Sequence, residues 1–421
     1  MSGDGILRPS AIVYVTSVPP WPTRSGGQIR TVANLDALSR LAAVHLMVFP
    51  FDPIRGDFDT SGVRLASTSV HPLVRPGPAG VIRDRFRAMA HLSHPYLVRW
   101  ARAGGSDLLA ERVAETGAGI VVLEAPFYPY AAEALHSPRP FIVADAADDR
   151  IAASTGLIRF GPGLKIRIRA ILNYPFDVLS ERRLGAVDQV WFVRTSDARR
   201  ATVRHPGLDA RVVPNVVDES RLAEIAAASQ PPARRSAAFL GAYDYAPNEV
   251  AGLRFARGIG PALRRAAPDA ILSLIGRNPT KSIRRAALAA GVELLGDVPD
   301  AAVTLRRFAV LVAPLASGAG SKVKILEALA LRVPVVTTPI GTAGLDLEDG
   351  VHVLLGRTDT ELAAATVRLW DDPVLAGSLA AAGAARVRER YSLEAHARQV
   401  ADALAIAVAD VPHAIATASG Q

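Results

Sequence analysis

Two of the four lysines in this 421-residue chain, Lys322 and Lys324, stand two residues apart, just after a small-residue turn that contains Gly318, Gly320 and Ser321. Every other cation except Lys165 and Lys281 is an arginine, so the use of two amines at one place is informative. The segment from Pro314 to Ala330 reads as a buried strand end, a glycine-containing turn and a helix that opens at about Ser321. Free backbone N–H groups and the positive end of the dipole at such a start suit a phosphate. Small residues let the phosphate approach. Lysines in a first turn oppose the dipole, and they make sense there if an anion sits between them; the plainer alternative is that both are simply solvated. Two apart on a regular helix they diverge, which leaves room for only one to reach the ligand. Glu327 follows one turn later among Val323, Leu326 and Ala330. It either faces solvent unpartnered or accepts hydrogen bonds from a ribose 2′,3′-diol, as acids do in dinucleotide folds.

Such residues need a rigid platform, and the chain supplies a strand–helix alternation. Ala11–Val18 is a β-branched apolar run; Gln28–Leu41 keeps Ile29, Val32, Leu35, Leu38 and Leu41 on one helical stripe; Val44–Phe51 reads as the next strand. Ile120–Leu123, Phe141–Ala144 and Val190–Val193 continue the series. The rhythm restarts with Ala237–Leu240, Ala270–Ile275, Val292–Leu295, Ala309–Pro314 and Val333–Thr338. Short buried strands between helices predict parallel sheets covered on both faces. The expectation is an α/β protein of two doubly wound, Rossmann-like domains: residues 1–218 and 237–392, with a linker at 219–236 around the breakers Ser229-Gln230-Pro231-Pro232. A helix over 393–411 is expected to pack back on the first domain, before a flexible tail at 412–421. Ligands of such folds bind outside the carboxyl ends of the strands, so a facing pair forms its site in the cleft between them.

Composition narrows the field. With no cysteine, disulfides and thiolate metal sites are excluded. The net charge of +8 is spread along the chain without a basic run, which argues for a solvated arginine-rich surface rather than a nucleic-acid groove. No apolar run reaches membrane-spanning length, and the expected location is cytoplasmic. Two stretches, 82–103 and 158–184, interleave arginines with Ile82, Phe86, Met89, Ile168 and Ile171. Basic amphipathic helices of this kind can lie on the inner face of a membrane as a peripheral contact. The favoured reading is an ordinary packed helix with a solvated basic face.

The stretch Glu327-Ala328-Leu329-Ala330, followed by Val333-Pro334-Val335-Val336-Thr337-Thr338, resembles the nucleotide-sugar signature of GT-B glycosyltransferases, in particular the large retaining group called family 4 (group 1). Gly341-Thr342-Ala343-Gly344-Leu345 is similar to the loop that follows it. Leu240 to Asn248 looks like the opening of that family's C-terminal domain, Val212 to Asp218 like its interdomain segment, Thr195-Ser196-Asp197 like its "Ser-x-x-Asp" helix start, and Pro19 to Arg30 like its glycine-rich first loop. The resemblance implies a GT-B fold whose two domains face each other across a cleft. It implies a retaining, metal-independent transfer of a sugar from a nucleoside diphosphate of UDP, GDP or TDP type to an unidentified saccharide, lipid or secondary-metabolite acceptor, without a cofactor. Donor contacts then fall to Gly241, Tyr243, Gly318, Gly320, Ser321, Lys322, Lys324 and Glu327, with Gly26, Gly27 and Arg30 in the N-terminal loop.

The chain departs from that pattern at three places. Ala319 stands where a first acid is usual, Tyr243-Asp244-Tyr245 where an Arg and a Lys are usual, and Ala147 where a histidine is usual. Asp145 and Asp148, beside Ala147, either bond a sugar hydroxyl as catalytic residues or cap the following helix. Asn248 reads as a turn or helix-start residue. Two other functions stay open: a degenerate scaffold that binds a nucleotide or partner, motivated by Ala319 and Ala147, and a sugar-nucleotide 2-epimerase, which would need acid and base groups in the cleft.

Overall fold

The computed structural model describes residues 9–23, 25–51, 62–74, 76–90, 94–127, 131, 135, 139–160, 164–317 and 322–404. The first sheet contains β1 (Ala11–Thr16), β2 (Ala43–Val48), β3 (Ser67–Val70), β4 (Ile120–Glu124), β5 (Phe141–Ala147), β6 (Gln189–Phe192) and β7 (Ala210–Val212), in the order β3-β2-β1-β4-β5-β6-β7. The second contains β8 (Ala233–Leu240), β9 (Ile271–Gly276), β10 (Glu293–Gly296), β11 (Phe308–Ala313), β12 (Val335–Thr337) and β13 (Leu354–Leu355), in the order β10-β9-β8-β11-β12-β13. Adjacent strands in both sheets pair parallel. Strand order reverses between β1 and β4, and again between β8 and β11, which is where such sheets open for a ligand.

Burial on both faces explains the unbroken apolar strands. All six residues of β1 are buried; Ile12 and Tyr14 point into one core, Ala11, Val13 and Val15 into the other. The second sheet is enclosed by one cluster that includes Phe239, Leu274, Leu311 and Val336.

The chain leaves the first unit earlier than the breaker residues suggest. Val213 belongs to the first core, whereas Val217 and Leu222 belong to the second. Between Val217 and β8 lies a helix, Glu219–Ala228, which carries Leu222 and whose N-cap Asp218 accepts from the Arg221 N–H. The Ser229–Pro232 breakers therefore make only the turn from this helix into β8. A second crossing runs beside the first, since the Val217 N–H donates to the Tyr391 carbonyl (2.9 Å). The last described helix, Leu393–Ala403, then packs on the first unit. Val400, Ala403 and Leu404 enter its core, and the Gln189 amide donates to the Ala403 carbonyl (2.7 Å).

The carboxyl ends of β1, β4 and β5 converge on a buried polar network that also redefines two candidate site residues. Arg30, on helix α1 (Gly26–Ser39), is 4% exposed and makes a forked pair with Asp145, at 2.7–3.1 Å. Its remaining Nη1 donates to the carbonyls of Val213 (2.7 Å) and Pro214 (3.3 Å). Asn34 donates to Asp145 (2.7 Å) and meets His396 Nε2 (2.8 Å), which links α1 to the C-terminal helix. Nearby, Glu124 accepts from Tyr14, Thr16 and Thr31. Arg30 and Asp145 are thus occupied with each other and with the outgoing chain, rather than open to an acceptor or a sugar hydroxyl. Neither Asp145 nor Asp148 caps the next helix; Asp149 does, accepting from the Ala152 N–H (3.0 Å).

Breaking this pair by Asp145→Ala strands the Arg30 guanidinium in the interior and is expected to cost about 3–5 kcal/mol. Asp145→Asn, which keeps one acceptor, should cost less. Denaturant unfolding of the two variants against the parent checks the ranking, and an Asp145→Ala loss below about 1 kcal/mol would contradict it.

Candidate functional site

The residues that follow the carboxyl ends of β5, β6, β8, β11 and β12 meet at the junction of the two units, where several charges are drawn out of water. Lys322 is the N-cap of the helix Val323–Ala330 and is 6% exposed. Burial and the nearby Arg194 lower its ammonium to a pKa of about 8, against the opposing pull of Asp148 and Asp197. Since Arg194, Asp148 and Asp197 lie in the first unit, Lys322 faces across the junction.

Lys324 turns the other way. Its Nζ donates to Asn248 Oδ1 and lies 4.7 Å from the centre of the Phe239 ring. Burial, and then the neighbouring Lys322, lower its pKa to about 7, while Glu327 pulls upward. The two amines diverge as helical spacing predicts. Asn248 is the positioning residue that the sequence leaves as a plain turn former: its Nδ2 donates to the Ala242 carbonyl (2.9 Å), so its Oδ1 is fixed towards Lys324. Glu327 is also largely enclosed; burial raises its pKa, with Lys324 and Arg221 pulling the other way.

On the first unit, Ala147 has φ 57, a left-handed turn at the end of β5 that carries the chain into Asp148. Asp148 Oδ1 is buried without a hydrogen bond, and Arg194 Nη2 lies 3.5 Å from it. Burial raises the Asp148 carboxyl to about 6, opposed by Arg194. Nothing in the residue types around Arg194 singles it out in the sequence. Its guanidinium is held by Asp197 (2.6 Å), which is fully buried and also receives Arg200. The available signal was the Arg194–Asp197 spacing of three at a helix start, which faces both side chains the same way. Across the junction Gly344, at φ +83, sits so close that a Cβ there would lie 2.3 Å from Arg194 Cδ. Only glycine fits. Tyr245, at the start of the next helix, is half exposed, and burial followed by Asp148 raises its phenol.

The remaining candidates fall in different places. Tyr243 is fully buried against Phe239, with its phenol donating to the Ile275 carbonyl (3.2 Å), so its side chain belongs to the core. Gly252 makes room for it, since a Cβ there would stand 2.9 Å from Tyr243 Cε1. Gly241 is explained by packing as well: a Cβ would meet Asn248 at 3.0 Å. Gly26 and Gly27 form the first turn of α1, behind the N-cap Ser25. A Cβ on Gly27 would meet nothing nearer than Ser25 Oγ at 4.0 Å, so packing does not call for glycine there. Gly318, Ala319, Gly320 and Ser321 lie outside the described residues. Among the described residues no group of three or more His, Asp or Glu side chains converges as a metal-ligand cluster.

Three cationic groups thus border one junction, and two of them are amines whose charge the fold makes costly. That arrangement favours a bound anion, because an anion restores the electrostatic stabilisation that water would otherwise give.

Residues 234–372 match the family described as Glycosyl transferases group 1. A relative, the phosphatidyl-myo-inositol mannosyltransferase of Mycobacterium leprae (strain TN), is 31% identical over 210 residues, which is 48% of this chain and 55% of the relative. The chain therefore matches just over half the length of that protein. Two solved structures share the architecture. Anabaena HepE in complex with UDP and glucose aligns with a TM-score of 0.60 and 15% identity over 94% of this chain and 99% of its own. Sucrose-phosphate synthase from Thermosynechococcus elongatus aligns at 0.62 and 16%, over 93% and 98%. At these identities the likeness concerns the fold, which is GT-B.

The lowered Lys324 amine has a consequence that needs no ligand. Between pH 7 and the ordinary 10.5, the unfolded chain holds a proton that the folded chain has lost, so the penalty for this lysine is full below about pH 7 and vanishes above 10.5. Lys324→Met should therefore stabilise the protein by about 2 kcal/mol near pH 6.5, with the gain shrinking as pH rises towards 10. Paired denaturation curves across that range test the sign; a gain that grows with pH would contradict it.

Proposed function

We propose that this chain, which carries a group 1 glycosyl transferase domain on the GT-B fold, transfers a sugar from a nucleoside diphosphate sugar to an acceptor held on its first unit. The observation that carries this reading is the pair of desolvated amines, Lys322 and Lys324, where the helix Val323–Ala330 begins. A diphosphate would add negative charge beside amines whose charge burial disfavours, and helix-start N–H groups would add donors.

In the proposed reaction the bond between the anomeric carbon and the β-phosphate oxygen breaks, and its electron pair stays on the phosphate. Lys322 and Arg194, which face the junction, stabilise that developing charge, while Lys324, turned to Asn248, acts only through its field. The acceptor oxygen bonds to the anomeric carbon from the same face, and its proton passes to the departing phosphate. That route retains configuration, needs no enzymic nucleophile and assigns charge neutralisation to side chains instead of a metal. Asp148, whose carboxyl burial raises to about 6 and whose Oδ1 makes no hydrogen bond, is assigned to orient a sugar or acceptor hydroxyl. Glu327 is assigned to the ribose diol. Residues 1–218 would hold the acceptor and 237–392 the donor. HepE was solved with UDP and glucose, and the M. leprae relative is named a mannosyltransferase of phosphatidyl-myo-inositol, which supports a nucleotide-sugar donor without fixing the sugar.

Isothermal titration with UDP, GDP and TDP tests the donor site and names the base. One of them should bind, and Glu327→Ala should weaken it by about 1–3 kcal/mol. Binding should also take up protons near pH 8, because a diphosphate at the junction raises Lys322 back towards 10.5; buffers of different ionisation enthalpy reveal this. No binding of any of the three, or proton release, would contradict the reading. Binding without release of nucleoside diphosphate from any donor and acceptor extract would favour the non-catalytic scaffold.

A further inference from the structure

We infer that Tyr245 is the platform on which the donor sugar lies, a specificity-determining residue whose ring stacks on the C–H face of a neutral hexopyranose beside the diphosphate. The inference rests on the donor reading above and adds to it the place of the sugar. In the loop Tyr243-Asp244-Tyr245 the fold spends the first two residues on itself. Tyr243 is buried in the core, and Asp244 accepts from Asn278 Nδ2 (3.0 Å). Tyr245 is left 49% exposed just beyond the carboxyl end of β8. Its backbone is held still: its N–H donates to the Ala242 carbonyl (3.3 Å), and its carbonyl accepts from the Asn248 and Glu249 N–H groups (2.9 and 3.2 Å). It is the N-cap of the helix Ala246–Arg254, yet its side chain makes no cap hydrogen bond. A fixed backbone that carries an aromatic ring without a capping duty is what a stacking surface needs.

Shared neighbours set the ring beside the sugar. Lys322, which the donor reading sets against the diphosphate, faces Arg194 and Asp148 of the first unit. The same two residues act on Tyr245: after burial, Asp148 raises the phenol and Arg194 opposes it. Lys322 and Tyr245 therefore border one short stretch of the junction. In a nucleoside diphosphate sugar the group bonded to the β-phosphate is the pyranose, so this stretch falls to it. A pyranose has a rim of hydroxyls and faces rich in C–H. Asp148, with 32% of its side chain exposed, suits the rim, and the Tyr245 ring suits a face. The Asp148 carboxylate disfavours a sugar that bears its own carboxylate. A nucleobase also stacks on aromatic rings, but it lies beyond the ribose. The ribose is assigned to Glu327, whose charged neighbours are Lys324, Arg221 and Asp300. That leads the base away from Tyr245.

Isothermal titration of UDP against UDP-glucose, GDP against GDP-mannose and TDP against TDP-glucose tests this. Tyr245→Ala should leave the affinity for the bare nucleotide within about twofold of the parent and lower that for its sugar ester about fivefold or more. Tyr245→Phe keeps the ring and should bind both as the parent does. Both variants should keep the parent's melting temperature, because the side chain caps nothing. An equal fall for nucleotide and ester would put the ring on the base or the diphosphate and overturn the inference. So would no fall for either, a loss in Tyr245→Phe equal to that in Tyr245→Ala, or a parent that binds a nucleotide and none of its esters. A parent that binds no nucleotide overturns the donor reading itself, and this inference with it.

Discussion

A desolvated positive charge at the start of one short helix organises the junction between the two units. Lys324 is held by a neutral amide and an aromatic face, neither of which cancels an ammonium charge. Lys322 shares its surroundings with Arg194, itself already committed to Asp197. A fold selected only for stability would place methionine or leucine at such positions. Amines whose protonation burial disfavours cluster at functional sites, and that is the ground on which the donor site is proposed here.

The rest of the molecule holds that place in register. Arg30 joins β5, through Asp145, to the carbonyls of the departing chain at Val213 and Pro214. The chain crosses back beside itself at Tyr391, and the C-terminal helix is fastened to α1 through His396 and Asn34. Asp197 aims Arg194 at the junction from below, and Gly344 closes on it from the other unit. Two crossings and a buried ion pair therefore fix how the carboxyl ends of the two sheets face each other. Gly241 and Gly276 perform the matching task within the second sheet: a Cβ on Gly276 would fall 1.8 Å from the Gly241 carbonyl oxygen.

Much of the architecture was legible because period and burial speak through residue type. β1, β8 and β11 were readable as apolar runs, and the paired lysines were conspicuous in an arginine-rich chain. What was hidden depends on tertiary partners. The fully buried Arg30–Asp145 pair looks in sequence like two surface charges 115 positions apart. Tyr243 reads as a loop aromatic because nothing local announces that Gly252 opens space for it. Arg194 and Asn248 gain their importance from what faces them, and the short edge strands β7 and β13 are too brief for a periodic signal. Ile82, Phe86, Ile168 and Ile171 have ordinary helical spacing; only the fold determines that they meet water.

A crystal structure of the chain grown with the nucleoside diphosphate that it binds tests the central claim most directly. Pyrophosphate density is expected within hydrogen-bonding distance of the Lys322 or Lys324 amine, with Glu327 on the ribose. Density at another surface, with both amines left as they stand without ligand, would contradict it.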